Sequence, residues 1–162
     1  MSERIVVWEI TALEAAHLSE LLDQFDHLLA AGSTDDPAIA RLVPDAYRDD
    51  PEAADEFRSL TEGDLLARRR EDCRIVASTL EIDGRRLVVS DLDRAEIEQT
   101  HTVAMDETQS AAWLRTLASL RLVMAARLGI RDEDDHADDD PRFGIYDWLG
   151  YRLDGLVRAL DD

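Results

Sequence analysis

Hydrophobic positions recur along this chain with two different periods, and the switches between them mark its elements. Arg4-Ile5-Val6-Val7-Trp8-Glu9-Ile10 is β-branched and aromatic, which predicts a short strand. Thr11-Ala12-Leu13-Glu14 follows, a hydroxyl and then a carboxylate three residues on, so that each side chain can take the other's free backbone N–H at a helix start. Leu18, Leu21, Leu22, Phe25, Leu28 and Leu29 then repeat at helical spacing until Gly32, a natural stop. Ser33–Pro37 reads as an acidic loop and Ile39–Val43 as one helical turn before Pro44.

Asp49-Asp50-Pro51-Glu52 predicts the next helix, with Ala53, Phe57 and Leu60 on one face. Thr61-Glu62-Gly63-Asp64 repeats the capping pattern and predicts a separate, longer helix towards Glu81. After Gly84, Leu87-Val88-Val89 is expected to pair with Ile97–Met105 in a hairpin turning at Asp91–Glu96, although Arg94–Glu98 fits a helical turn equally well. Asp106-Glu107-Thr108-Gln109 opens the best-marked helix, striped by Trp113, Leu117, Leu120, Met124 and Leu128 and ended by Gly129. Leu122 and Val123 on its far side predict a helix covered nearly all round. Arg131–Pro141 is an acidic loop, and Ile145–Leu160 closes the chain as an amphipathic helix with Ile145, Leu149, Leu153, Leu156 and Leu160 inward. The expected fold is mainly α (α+β): a single domain over 1–162 with about five helices and a small antiparallel β-element formed by the N-terminal strand and the central hairpin.

Composition narrows the function. With 162 residues, 45% of them hydrophobic, the chain can bury a core without disulfide or metal support. Its 37 acids against 18 basic residues leave a net charge of −19, which disfavours direct DNA binding and anionic membranes. Every basic residue is Arg; without Lys there is no Schiff-base amine and no phosphate-loop lysine. A lone cysteine, Cys73, excludes an internal disulfide within these residues. Ile5–Ile10, interrupted by Glu9, is too short for a signal core or a membrane span, and the expectation is a cytoplasmic protein.

Motifs of catalysis or cofactor binding do not emerge, and no catalytic residue, cofactor or metal is assigned. There is no Gly-x-Ser-x-Gly elbow and no glycine-rich phosphate loop. Laid on a calcium loop from Asp132, the acidic run puts His136 fifth, Ala137 where Gly is needed and Phe143 where the bidentate Glu belongs. Glu14/His17, Glu98/His101 and Glu133/His136 share the Glu-x-x-His spacing of metal sites in helical bundles, but only the first pair lies on a well-marked helix. Glu14 and His17 with the acidic loop therefore form the alternative reading, a metal- or small-ligand-binding helical module.

Arginines on apolar stripes are the sharper anomaly. Arg69 sits among Leu65, Leu66, Cys73 and Val76, and Arg121 among Leu117, Met124 and Leu128. Arg is seldom buried unpaired, so each either packs its stem in the core and pairs with an acid, from Asp45–Asp55 or nearby, or lines a polar pocket. Cys73 has Arg69, Arg70 and Arg74 within a helical turn, a setting that favours thiolate, but also Glu71 and Asp72 beside it and a place on the buried stripe. Trp148 and Tyr151 flank the inward face of the last helix, as aromatic anchors of a partner surface do.

Three stretches resemble the actinobacterial DUF2017 family, also called actinomycete oxidative stress regulators: Arg41–Tyr47 through Phe57–Glu62; Trp113-Leu114 with Leu120–Val123 and Arg127–Ile130; and Tyr146–Gly150. The resemblance implies a cytoplasmic regulator responding to oxidation through a cysteine pair, with a sigma factor as partner. Two departures stand out: one cysteine in place of two, and Ala118-Ser119 where the family pattern leads one to expect Asn-Asp. The reading is a non-enzymatic regulatory protein that binds another protein, linked to transcription and the oxidative-stress response, its oligomeric state open. Tyr47, Arg58, Arg121, Trp148 and Tyr151 are its candidate partner-binding residues and Cys73 its candidate redox residue.

Overall fold

The structure, a computed structural model, describes residues 4–32, 35–43, 51–130 and 143–161, with the backbone alone over 51–62. Strand β1 (Val6–Thr11) leads directly into helix α1 (Ala12–Ala31), followed by α2 (Pro37–Leu42), α3 (Pro51–Thr79), α4 (Arg94–Ile97), β2 (Thr100–Met105), α5 (Glu107–Leu128) and α6 (Gly144–Asp161). Among the described residues there are thus four long helices, two short ones and one antiparallel strand pair, and the mainly α expectation holds. The strands run in register from Val6 opposite Met105 to Thr11 opposite Thr100. Period-two burial follows: Val6 and Ile10 face the core, while Val7 between them is 57% exposed.

Local chemistry explains where the helices begin and end. Thr11 and Glu14 form the reciprocal capping box of α1, and Asp106 and Gln109 form that of α5. Gly32 and Gly129 close those helices with φ of +61° and +74°, values costly for any residue with a Cβ. Helix α5 is the hub: it packs closely on α2, α3 and α6 and touches β2. Its Trp113 is fully buried, donates to Thr79 Oγ1 at 2.8 Å and meets Trp8 edge-on at 5.0 Å between ring centroids.

Four expectations change. The central hairpin does not form: β2 pairs with β1 instead, and Leu87-Val88 is outside any strand. Asp93 caps the Glu96 N–H at 2.8 Å and winds Arg94–Ile97 into a helical turn where the expected hairpin would reverse, and the strand that follows, Thr100–Met105, takes β1 as its partner. The tight turn lies earlier, where Asp83 (φ +53°) and Gly84 (φ +75°) join Ile82 to Arg85. The two helices expected around Thr61 are one continuous α3, because a cap acts only where the preceding residue leaves the helical conformation, and residues 53–60 are already helical. Helix α5 is not covered all round, since Leu122 is 45% exposed while Val123 is buried. In α6, Leu149 and Leu156 are buried but Ile145 is half exposed, because it lies at the mouth of a cleft beside α1.

Candidate functional site

The start of α1 and the body of α6 meet at one carboxylate. Glu14 Oε1 accepts the Thr11 N–H at 3.0 Å, completing the cap. Its Oε2 accepts from Trp148 Nε1 at 2.6 Å and from an Arg152 terminal nitrogen at 2.9 Å. Arg152 also donates to the Glu9 carbonyl at 3.0 Å, and its guanidinium lies over the Trp8 ring at 5.3 Å and the Trp148 ring at 5.7 Å. Burial pushes the Glu14 carboxyl up, but hydrogen bonds from Arg152, the Thr11 N–H and Trp148 outweigh it and hold the group at about 2. A single ionised side chain therefore fastens β1, α1 and α6 together.

That node forms one end of a cleft along α1. The first cavity, about 440 Å³, lies between His17, Leu21 and Gln24 of α1 and Ile145 and Trp148 of α6. A second, about 410 Å³, shares Leu21 and Gln24 and continues between α1 and the Leu120, Val123 and Met124 side chains of α5. Both walls are mainly apolar. Glu14 and His17 line the first cavity together, but both Glu14 oxygens are already engaged, and no group of three His, Cys, Asp or Glu suited to a metal exists among the described residues. Glu98 is exposed beyond α4 and His101 lies on β2, so that pair does not share a helix face; Glu133/His136 and the calcium-like run lie outside the described residues.

Arg121 and Arg69 resolve differently. The Arg121 guanidinium lies over the Tyr146 ring at 4.5 Å and against Gly150, where a Cβ would come within 3.1 Å of its Nε. Its Nε is buried without a hydrogen-bond partner, and no described acid pairs with it. Glycine at 150 is thus what lets α6 close onto α5. Arg69 pairs with Asp72 on its own helix at 3.5 Å. Asp72, only 5% exposed, takes its main partner from α5: Arg115 binds both oxygens at 2.9 Å. Sequence reasoning missed Arg115 and Arg152, whose partners are far away in the chain.

Of the other candidates, Tyr47 lies outside the described residues, and Arg58 is placed only as a turn of α3. Trp148 sits in the Glu14 node and lines the cleft, while Tyr151 is 73% exposed. Cys73 is 3% exposed on α3. Burial, then the Asp26 and Asp72 carboxylates, push its thiol up to about 12 against the opposing pull of Arg70 and Arg74. Asp26 is itself hydrogen-bonded by Arg70, which offsets that arginine's charge.

Among known families, the model described as "Domain of unknown function (DUF2017)" matches residues 1–160. The chain belongs to the DUF2017 family. It is also 27% identical over 143 residues to the oxidative stress regulator AosR of Mycobacterium tuberculosis and to that of Mycobacterium bovis. The match covers 77% of this chain and 58% of each relative, so the chain spans little more than half the length of the curated relatives it matches. No solved structure matches it. No described helix of this family member is long and apolar enough to cross a membrane.

Proposed function

We propose that this DUF2017 protein is a non-enzymatic, cytoplasmic regulator that acts by binding another protein. The observation that carries the reading is the apolar cleft along α1, with Trp148 and half-exposed Ile145 at one end and Tyr151 exposed on the same helix α6. Relatives named as oxidative stress regulators favour a role in that response, and the transcription machinery, a sigma factor first, is where the partner is sought. With one cysteine in these 162 residues, an oxidant signal cannot act through an internal disulfide here. It would enter through the partner or through a mixed disulfide of Cys73 formed after α3 opens.

The test is capture from a lysate of the source organism, with and without oxidant, followed by titration of the purified candidate. One specific protein should be retained by the wild type and lost with Tyr151→Ala or Ile145→Asp, while circular dichroism stays unchanged. Capture of nothing specific, or equal capture by the variants, would sink the reading.

A further inference from the structure

The cleft has a definite origin. Helix α1 is held closely by α3 and β1, whereas α5 is held by α2, α3 and α6. Beyond the Glu14 node and the buried side chains of the core, the backbone of α1 makes few close approaches to α5 and α6, and the two cavities, which share Leu21 and Gln24, run on into one trough. On α1 the trough follows His17, Leu21, Gln24 and Leu28, a single stripe at helical spacing. At 1.5 Å per residue that stripe is about 16 Å long, which is three turns of an α-helix. Leu21 and Leu28 are only partly buried, so apolar anchors from outside have surface to cover.

Charge selects the occupant. Exposed Glu20 lines the trough at the α6 end, beside the ionised Glu14. Arg127, at the far end, is already bound through both terminal nitrogens to Asp36 at 3.0 and 2.9 Å. A second copy of this chain would bring another −19 charge against the first, which opposes self-association. Building on the partner-binding reading above, we propose that the trough receives an amphipathic helix of the partner, about three turns long, with one apolar face and basic flanks.

The experiment titrates the full-length, 15N-labelled chain with three synthetic peptides of about 14 residues: a Leu/Lys amphipathic helix, its Leu/Glu counterpart, and a scrambled Leu/Lys sequence. Calorimetry should give saturable one-to-one binding of the Leu/Lys helix, with amide shifts concentrated at Leu21, Gln24, Met124 and Ile145. The other two peptides should bind at least about tenfold more weakly. Gln24→Arg, an exposed substitution that leaves the fold intact, should weaken the Leu/Lys helix about tenfold, and Val7→Ser on the sheet's outer face should not. Equal binding of the scrambled or acidic peptide, or shifts spread over the acidic surface, would overturn the proposal. So would a concentration-dependent dimer abolished by Gln24→Arg, which would give the trough to a second copy. A specific partner captured by a chain that fails this titration removes the trough proposal alone; binding of the Leu/Lys helix without any captured partner removes the regulatory reading alone.

Discussion

Replacing Glu14 with Gln removes the negative charge at the centre of the α1–α6 junction. Glutamine keeps one acceptor oxygen where Glu14 uses two, as a protonated carboxyl would, so the variant removes the ionised partner of Arg152 and leaves either the Thr11 N–H or the Trp148 indole facing an NH2. The carboxyl moves from 4.5 to about 2 on folding. At about 1.4 kcal/mol per pH unit that is roughly 3 kcal/mol in favour of the ionised form. The side chain retains 27% of its exposure, so solvent screening trims the expectation to about 2–3 kcal/mol. Because the folded value lies below the unfolded one, the contribution is complete above about pH 4.5 and is lost as pH falls towards 2. Urea unfolding followed by tryptophan fluorescence should therefore show Glu14→Gln less stable than wild type by about 2–3 kcal/mol at pH 7. The two proteins should converge near pH 2. A difference below about 0.5 kcal/mol at pH 7, or one that persists unchanged at pH 2, would refute the reasoning.

Two further outcomes follow from the packing. Gly150→Ala should destabilise by about 1 kcal/mol, the crowding of Arg121 outweighing the better helix propensity of Ala. In an Arg121→Ala background the same change should be neutral or stabilising, and strict additivity in chemical denaturation would show that the two residues do not share that space. Cys73 should resist an aromatic disulfide reagent at pH 8 in the native protein and react fully in denaturant. Rapid stoichiometric labelling of the folded chain would remove the case for a shielded thiol.

Much of the layout was legible because short-range chemistry carries it. The capping boxes at Thr11 and Asp106 and the stops at Gly32 and Gly129 each depend on residues within a turn or two, and the structure keeps all four. The hairpin failed for the complementary reason. Val88 and Val103 look equally like strand, and only pairing decides between them; β2 found β1, far back in the chain, as its neighbour. The start expected at Thr61 failed because a capping motif inside an already helical run has no free N–H to satisfy. Glu14 was recognisable as a cap from spacing alone, yet nothing local revealed that Trp148 and Arg152 would share its second oxygen.

The residue order thus settled the helical character, the net negative charge and the single thiol, since periodicity, net charge and composition need no partner to be read. Where those helices meet was decided only in three dimensions. Arg115 crosses from α5 to bury the charge of Asp72, Gly150 yields its side-chain space to Arg121, and α1 packs most closely on α3, leaving a cleft towards α5 and α6 beyond the Glu14 node. The trough along α1 is the result. A helix face presents the same sequence whether or not a neighbour covers it, so a face left open among the described residues is a property of packing.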